Sequence, residues 1–164
     1  MKKLNIDPLQ IDEVFISHSH LDHTGGLSCI LSLNPVKVYI PCSFVLSDDN
    51  VTVIRVNEKL KLHDNIYSTG ELKSIENSLI VKENTGVTVI AGCSHPGVRE
   101  ILQAASEFGK VRTLIGGLHE FNEFNLIDPL ENVCPTHCTR FIEEIKDLYP
   151  GKYIEGGAGK VIIT

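Results

Sequence analysis

Short apolar runs alternate along the whole chain with polar stretches that contain glycine and proline. Runs of strand length, rich in β-branched residues, predict β-strands at 14–16, 36–40, 51–56, 78–81, 87–90, 111–115 and 132–136, with further β structure at 66–70. The loop Asn84-Thr85-Gly86 has turn chemistry and joins two of these runs into a predicted hairpin. A glycine-rich turn at 156–159 is predicted to join two last short strands, around Tyr153 and at 161–163.

Three segments repeat apolar residues at the spacing of an amphipathic helix. They predict helices at 27–33, 98–108 and 141–149. Asn34-Pro35 ends the first of these helices and Pro150-Gly151 ends the last. No repeat, low-complexity tract or linker interrupts this order of strands and helices, so residues 1–164 are predicted to form a single domain of α/β class.

The composition is that of an ordinary globular protein, 42% hydrophobic and 22% charged. A formal net charge of −6 and the lack of a Lys/Arg cluster argue against a nucleic-acid partner. No stretch approaches the roughly 18 apolar residues of a membrane span, so no membrane partner is expected. Met1-Lys2-Lys3 leads into a polar segment instead of a signal-peptide core, so the expected location is the cytoplasm.

The most informative stretch is His18-Ser19-His20-Leu21-Asp22-His23, which directly follows the first predicted strand. In extended backbone a His-x-His pair sends both imidazoles to the same side. Asp22 and His23 follow as the chain turns at Gly25-Gly26, so two adjacent sets of ligands can form. Four ligand-type residues in six positions predict a two-metal site.

Three more histidines follow predicted strands. They are His95, His119 and His137. Since α/β folds place their sites at the carboxyl ends of strands, all three are candidates for the same site. His63 lacks this setting and is predicted to be a surface residue.

The chain contains an odd number of cysteines, Cys29, Cys42, Cys93, Cys134 and Cys138. Without a secretory signal, reduced thiols are favoured over a disulfide framework, and most are predicted to be buried and inert. A structural zinc at Cys134, His137 and Cys138 is a weaker alternative.

The intact His-x-His-x-Asp-His motif resembles the signature of the metallo-β-lactamase-fold superfamily. Four later motifs are similar to those of one branch, the metal-dependent hydrolases related to the dihydropterin-aminobenzene ribofuranosyl phosphate synthases of methanopterin biosynthesis. These motifs are Ser68-Thr69-Gly70-Glu71, Gly92-Cys93-Ser94-His95-Pro96-Gly97, Gly116-Gly117-Leu118-His119 and His137-Cys138-Thr139. The resemblance runs from about Ile11 to the last residue and implies a metallo-β-lactamase-like αββα sandwich.

The resemblance also implies a ligand set for two divalent ions. One ion would be bound by His18, His20 and His95, and the other by Asp22, His23 and His137. Zinc suits these ligands best, and iron or manganese is compatible with them.

The implied activity is that of a metal-dependent hydrolase. Hydroxide activated by the two ions would attack a small phosphorylated or ester-type substrate, with Asp22 orienting the nucleophile and His119 protonating the leaving group. A pterin-type synthase of methanopterin biosynthesis shares the same metals and is one alternative. A truncated, non-catalytic metal-binding protein that works through a partner is the other.

Three departures from the family pattern shape these expectations. Only seventeen residues precede His18, so part of the N-terminal half of the sandwich is expected to be missing, and a homo-oligomer would be one way to cover it. The segment Gly116-Gly117-Leu118-His119 offers no aspartate as a bridging ligand. Arg140 stands where the family has glycine, either to hold an anionic group such as phosphate or as a surface residue.

Overall fold

The computed structural model describes residues 1–46 and 50–163. In these ranges the strands are β1 (Glu13–Phe15), β2 (Lys37–Pro41), β3 (Val53–Val56), β4 (Leu60–His63), β5 (Ile66–Ser68), β6 (Leu79–Glu83), β7 (Gly86–Ala91), β8 (Val111–Gly117) and β9 (Asn132–Thr136). The α-helices are α1 (Leu21–Thr24), α2 (Leu27–Leu33), α3 (Val98–Ser106) and α4 (Ile142–Leu148). Short 3-10 helices lie at Lys2–Leu4, Pro8–Gln10 and Phe124–Ile127.

Within the described ranges the strands form two sheets. The first is a parallel sheet in the order β1-β2-β3, and the second has the order β4-β5-β6-β7-β8-β9. Strands β4 to β7 pair antiparallel, whereas β7, β8 and β9 run parallel, so these three carboxyl ends lie at one edge of the sheet. This α/β arrangement confirms the predicted fold class and the predicted hairpin of β6 and β7.

Each sheet buries one face against helices. In the first sheet Val38 and Ile40 pack with Leu27 and Leu31 of α2. The larger core lies between the second sheet and helices α3 and α4, where it gathers Val89, Leu114 and Val133 from the sheet and Ile101 and Ile145 from the helices. The apolar helix stripes that were visible in the sequence therefore face the sheets.

The opposite face of the second sheet is less covered. Ile90 is 39% exposed although it lies within β7, a strand with neighbours on both sides.

The two sheets approach each other near the loop after β1, where the Asn77 N–H donates to the Ser17 carbonyl (2.8 Å). They also meet through the Glu13 carboxylate of β1, which pairs with His63 of β4 at 2.7 Å. The His63 side chain is 57% exposed, which confirms the prediction that it is a surface residue.

One predicted element is wrong. Residues 161–163 form no strand in the described structure, and Tyr153 contributes only an isolated bridge to Val133. Val161 and Ile163 are 87% and 90% exposed. Strand propensity stabilises a strand when one face is well buried, and here Val161 and Ile163 are exposed and Ile162 is only partly buried.

Among the described helices none is long and apolar enough to cross a membrane.

Candidate metal centre

The centre lies where the chain leaves β1, β7, β8 and β9. The first of these strands leads into the His18–His23 stretch, and β7 leads into the loop that carries Cys93 and His95. The ends of β8 and β9 deliver His119 and His137. The parallel register that pairs β7 with β8 and β8 with β9 brings three of these loops to the same edge of the sheet.

The histidines implied for the first ion come together. The ring centroid of His18 lies 4.6 Å from that of His20 and 4.8 Å from that of His95, and His20 is 4.6 Å from His95. His18 is 1% exposed. The Nε2 atoms of His18 and His95 are buried and find no hydrogen-bond partner among the described residues. A buried imidazole nitrogen without a partner is costly unless it has a ligand to bind.

The residues implied for the second ion also come together, and a cysteine joins them. Donor atoms of Asp22, His23, Cys93 and His137 all lie within 4.8 Å of one another. The His137 Nε2 lies 3.0 Å from Asp22 Oδ2, and the His23 Nε2 lies 3.1 Å from the Cys93 Sγ. A second group within the same limit consists of His18, Cys93 and His95.

His119 and Arg140 lie beside these groups, not within them. The His119 ring centroid is 5.1 Å from that of His95, and the side chain is exposed. Arg140 is also exposed, in the loop that precedes α4, where its guanidinium pairs with Glu120 at 3.0 Å. Its N–H donates to the His119 carbonyl (2.8 Å), so the two residues lie at the same rim of the site.

A buried carboxylate supports the centre. Glu76 has no exposed surface, and its Oε1 accepts hydrogen bonds from the N–H groups of Gly92, Cys93 and Ser94 at 2.9–3.1 Å. Its Oε2 accepts from the His95 N–H (3.1 Å) and lies 3.8 Å from the Nδ1 of His18. The loop after β7 therefore wraps around one carboxylate, which fixes the backbone of two candidate ligands.

Hydroxyl groups tie the neighbouring loops together. Ser94 Oγ donates to the Gly117 carbonyl (2.7 Å), which links the ends of β7 and β8. Thr139 Oγ1 accepts from the Leu118 N–H (2.9 Å) and donates to the Thr136 carbonyl (2.7 Å), which links the ends of β8 and β9. These bonds set the spacing between ligands that come from different strands.

Three residues of these loops adopt left-handed backbone. The φ angles of Ser94, His119 and His137 are 61°, 49° and 51°. Such conformations are uncommon for residues other than glycine and concentrate at functional sites, where the surrounding structure holds them.

Burial keeps several of the imidazoles neutral. It lowers the pKa of His18 from 6.5 to about 4, although the neighbouring Glu76 carboxylate acts in the opposite direction. Burial also lowers the pKa of His23 and of His95. Burial, together with a hydrogen bond to Cys138, raises the pKa of the Cys93 thiol. Neutral imidazole is the form that binds metal ions.

The metal-free protein should lose stability as the pH falls. The unfolded chain protonates His18 near pH 6.5 and the folded chain only near about pH 4, so the unfolded state binds more protons between these values. We expect the free energy of unfolding to fall by about 3 kcal/mol over this interval, at about 1.4 kcal/mol per unit of pKa difference. Below about pH 4 His18 is protonated in both states, so it causes no further loss of stability.

Urea denaturation of the chelator-treated protein at a series of pH values measures this loss. The variant His18→Gln, which cannot protonate, should show a clearly shallower dependence of the unfolding free energy on pH. Equal slopes for His18→Gln and the wild type would contradict the assignment.

Two cavities flank the centre, each of about 260 Å³. The first is lined by Ser94, His95, His119, Phe121 and Asn122, among others. The second has a more apolar wall, formed by Phe15, Ile16, Leu79 and Ile90 beside His23 and His137. Both are at the small end of ligand pockets, which typically measure 300–1,000 Å³.

Sequence reasoning missed two residues of this centre. Most of the five cysteines were predicted to be inert and Cys93 was not singled out as a ligand, yet Cys93-Ser94-His95 repeats after β7 the alternation of His18-Ser19-His20 after β1. That alternation was the available signal. Glu76 carries no comparable local signal, because its partners lie sixteen to nineteen positions further along the chain.

Comparison with known proteins finds sequence similarity to one superfamily. The family model of the metallo-beta-lactamase superfamily matches residues 1–41. A relative from Methanocaldococcus jannaschii, 7,8-dihydropterin-6-methyl-4-(beta-D-ribofuranosyl)-aminobenzene-5'-phosphate synthase, is 26% identical over 233 aligned positions, which cover 94% of this chain and 79% of that protein. Since this chain has only 164 residues, it lacks internal segments that the relative has.

Solved structures show the same fold. Tm1679, described as a metal-dependent hydrolase of the beta-lactamase superfamily, superposes with a TM-score of 0.80 at 24% identity, over 99% of this chain and 83% of that one. The metallo-beta-lactamase fold protein YhfI from Bacillus subtilis superposes with a TM-score of 0.67 at 12% identity, over 95% and 78%. The resemblance predicted from the motifs is confirmed, and the chain has the metallo-β-lactamase fold.

The fold implies divalent metal ions, and the residues present fit them. The unpartnered Nε2 atoms of His18 and His95 are oriented as ligands, and the remaining donors are imidazole, carboxylate and thiol. This mixture of nitrogen, oxygen and sulfur is typical of zinc and iron sites. The number of ions and the assignment of each ligand stay predictions.

Proposed function

From the metallo-β-lactamase fold of this chain we propose that it is a metal-dependent hydrolase, which acts on a small phosphorylated or ester-type substrate at a two-ion centre. The observation that carries the proposal is the convergence of donor atoms from the loops after three strands, β1, β7 and β9. His18 and His95 present unpartnered Nε2 atoms on one side, and Asp22, His23 and His137 gather on the other. A divalent ion in such a centre lowers the pKa of bound water from 15.7 to about 7 and polarises the bond to be cleaved.

The protein's own residues hold and orient the reacting groups. Asp22 accepts a hydrogen bond from His137 and is partly exposed, so it can orient a nucleophile at the mouth of the site. The pKa of Asp22 is lowered: desolvation opposes the change, but the residue's own N–H and the imidazoles of His23 and His137 outweigh it. A general base or orienting group needs to be ionised in this way at neutral pH.

His119 lies in the first cavity beside His95, where a leaving group would emerge. In its protonated form it can donate a proton to the departing oxygen. The apolar wall of the second cavity, on the side of His23 and His137, suits a small apolar part of the substrate.

Metal analysis and a hydrolysis assay test this function together. The purified protein should contain close to two divalent ions per chain, and it should hydrolyse a nitrophenyl phosphodiester, phosphomonoester or carboxylic ester. Chelation should abolish the reaction, and added zinc or manganese should restore it. One ion or none, or turnover that chelation leaves unchanged, would contradict the proposal.

The synthase relative supports a second candidate function on the same ligands. A pterin-type synthase would condense a pterin pyrophosphate with an aminobenzene ribofuranosyl phosphate. Incubation of both substrates with the metal-loaded protein separates the two functions, because a synthase forms the condensed product whereas a hydrolase cleaves simple esters.

The variant Arg140→Ala tests whether the substrate carries a phosphate group. Its partner Glu120 lines the first cavity, and their ion pair is exposed and therefore weak, so the guanidinium can exchange Glu120 for a phosphorylated ligand bound there. We expect Arg140→Ala to raise the KM for a phosphorylated substrate about three- to tenfold and to leave a neutral ester unaffected. Steady-state kinetics measure this, with Arg55→Ala as the control in the first sheet. A KM that does not change for the phosphorylated substrate, or that changes equally for the neutral ester, would refute phosphate binding by Arg140.

A further inference from the structure

Cys93 occupies a special position in the centre. Among the described residues, its Sγ is the donor atom shared by the two groups that could hold a metal ion, one with Asp22, His23 and His137 and the other with His18 and His95. The thiol therefore lies between the two positions implied for the ions. The segment Gly116-Gly117-Leu118-His119 at the end of β8 offers no carboxylate, and the donor atom found between the two groups is the sulfur of Cys93.

The distances suit coordination. The Cys93 Sγ lies 3.1 Å from the His23 Nε2. In a tetrahedral zinc site, bonds of about 2.3 Å to sulfur and 2.0 Å to nitrogen separate the two donors by about 3.5 Å. A displacement of a few tenths of an ångström is enough to admit an ion.

The thiol is also held in place. Cys93 is 3% exposed, and its N–H donates to the Glu76 carboxylate (3.0 Å). On its other side the backbone packs against Gly117, where a Cβ would lie 3.2 Å from the Cys93 Cα. A side chain that serves only to fill space does not require this fixed backbone, whereas a ligand does.

The neighbouring buried histidine gives the independent indication of a ligand. His18 is almost fully buried, one of its ring nitrogens lies within 4.8 Å of the Cys93 Sγ, and its Nε2 has no hydrogen-bond partner among the described residues. Its Nδ1 side is already occupied by Ser17 (3.0 Å) and approached by Glu76. The Nε2 is therefore the nitrogen of His18 that is free to bind a ligand.

We propose that Cys93 is a metal ligand whose thiolate is shared by the two ions of the centre. The inference rests on the proposed two-ion function and adds to it a soft ligand at the position between the ions. Thiolate favours zinc and ferrous iron over manganese and magnesium. The centre should accordingly bind zinc or iron in preference to manganese, and Cys93→Asp should shift that preference towards manganese.

Cobalt substitution tests the sulfur ligand independently of activity. The Co²⁺-loaded, reduced wild-type protein should show a thiolate-to-cobalt charge-transfer band in the near ultraviolet. The band should be absent in Cys93→Ser and retained in Cys138→Ser. Cys138 is the matched control because it lies beside Cys93, with its Sγ 3.9 Å from the Cys93 carbonyl, but belongs to neither donor group. A band that persists in Cys93→Ser, or one lost in Cys138→Ser alone, would overturn the assignment.

X-ray absorption of the zinc-loaded wild type tests the inference without any variant, in case Cys93→Ser does not fold. A shared thiolate predicts a sulfur shell at about 2.3 Å with about one sulfur per zinc. A thiolate bound to one ion alone would give about half that number and would overturn the sharing.

The outcomes separate this inference from the proposed function. Two ions per chain without a sulfur shell or a charge-transfer band would refute Cys93 as a ligand and leave the hydrolase proposal intact. Failure to bind either cobalt or zinc would refute both. A sulfur shell without metal-dependent hydrolysis would support the ligand and refute the hydrolase.

Discussion

Replacing Asp22 with alanine is expected to remove one of the two ions and to lower kcat/KM about a thousandfold. The side chain supplies the carboxylate of the second donor group and accepts a hydrogen bond from His137, so both the ligand and its neighbour lose their partner. Metal ions typically contribute several kcal/mol to transition-state stabilisation, and each 1.36 kcal/mol corresponds to a factor of about ten in rate. Elemental analysis and steady-state kinetics of the same preparation measure the two effects.

The fold should tolerate this change, because the Asp22 side chain is 54% exposed. Asp64→Ala is the matched control: that side chain is fully exposed and pairs with Lys61 far from the donor groups, so metal content and kinetics should equal those of the wild type. If Asp22→Ala keeps two ions and full activity, the second set of ligands is wrongly assigned. If it keeps both ions but loses activity, Asp22 orients the reaction without holding a metal.

Glu76→Gln should weaken both the fold and the metal centre. In the wild type the Glu76 carboxylate accepts hydrogen bonds from four backbone N–H groups, those of Gly92, Cys93, Ser94 and His95. Glutamine keeps one acceptor oxygen but turns an NH₂ group, itself a donor, towards some of these N–H groups. A buried, fully bonded carboxylate that loses its charge and half of its acceptor capacity costs about 2–4 kcal/mol of unfolding free energy. Loss of a residue that orients ligands typically lowers metal affinity about 10–100-fold.

Urea denaturation gives the first quantity, and zinc titration against a competing chelator gives the second. Glu131→Gln is the control, since that carboxylate is 41% exposed and pairs with Arg112 at 2.5 Å on the surface. A destabilised Glu76→Gln protein with unchanged zinc affinity would make Glu76 a purely structural residue. A variant that matches the wild type in both measurements would refute the role of the carboxylate altogether.

Local sequence was sufficient for the elements that carry the centre. The helix of residues 27–33 was predicted from its apolar spacing and its Asn-Pro stop, and the structure confirms it. The hairpin of β6 and β7 was predicted from the turn chemistry of Asn84-Thr85-Gly86, and the structure confirms it as well. Where local pattern and tertiary burial disagree, as at Val161 and Ile163, burial decides: these β-branched residues find no surface to cover and form no strand.

The positions of the histidines were also predictable, because a ligand that follows a strand needs only the strand and the turn after it. His18, His20, His95 and His137 each follow a predicted strand, and the structure places them together. The grouping of His23 and His137 around Asp22 involves a sequence separation of 115 residues, and the motif resemblance supplied it, not the local pattern.

The sequence by itself determined that this chain is an α/β protein with a histidine-rich edge, since periodicity and turn residues act over a few neighbouring positions. Only the tertiary structure decided which other side chains join that edge. Cys93 reaches the centre because the register of β7 and β8 places its loop against Gly117. Glu76 supports the centre because four N–H groups of that loop donate to its carboxylate. Such contacts depend on how separate elements pack, so short-range patterns do not encode them.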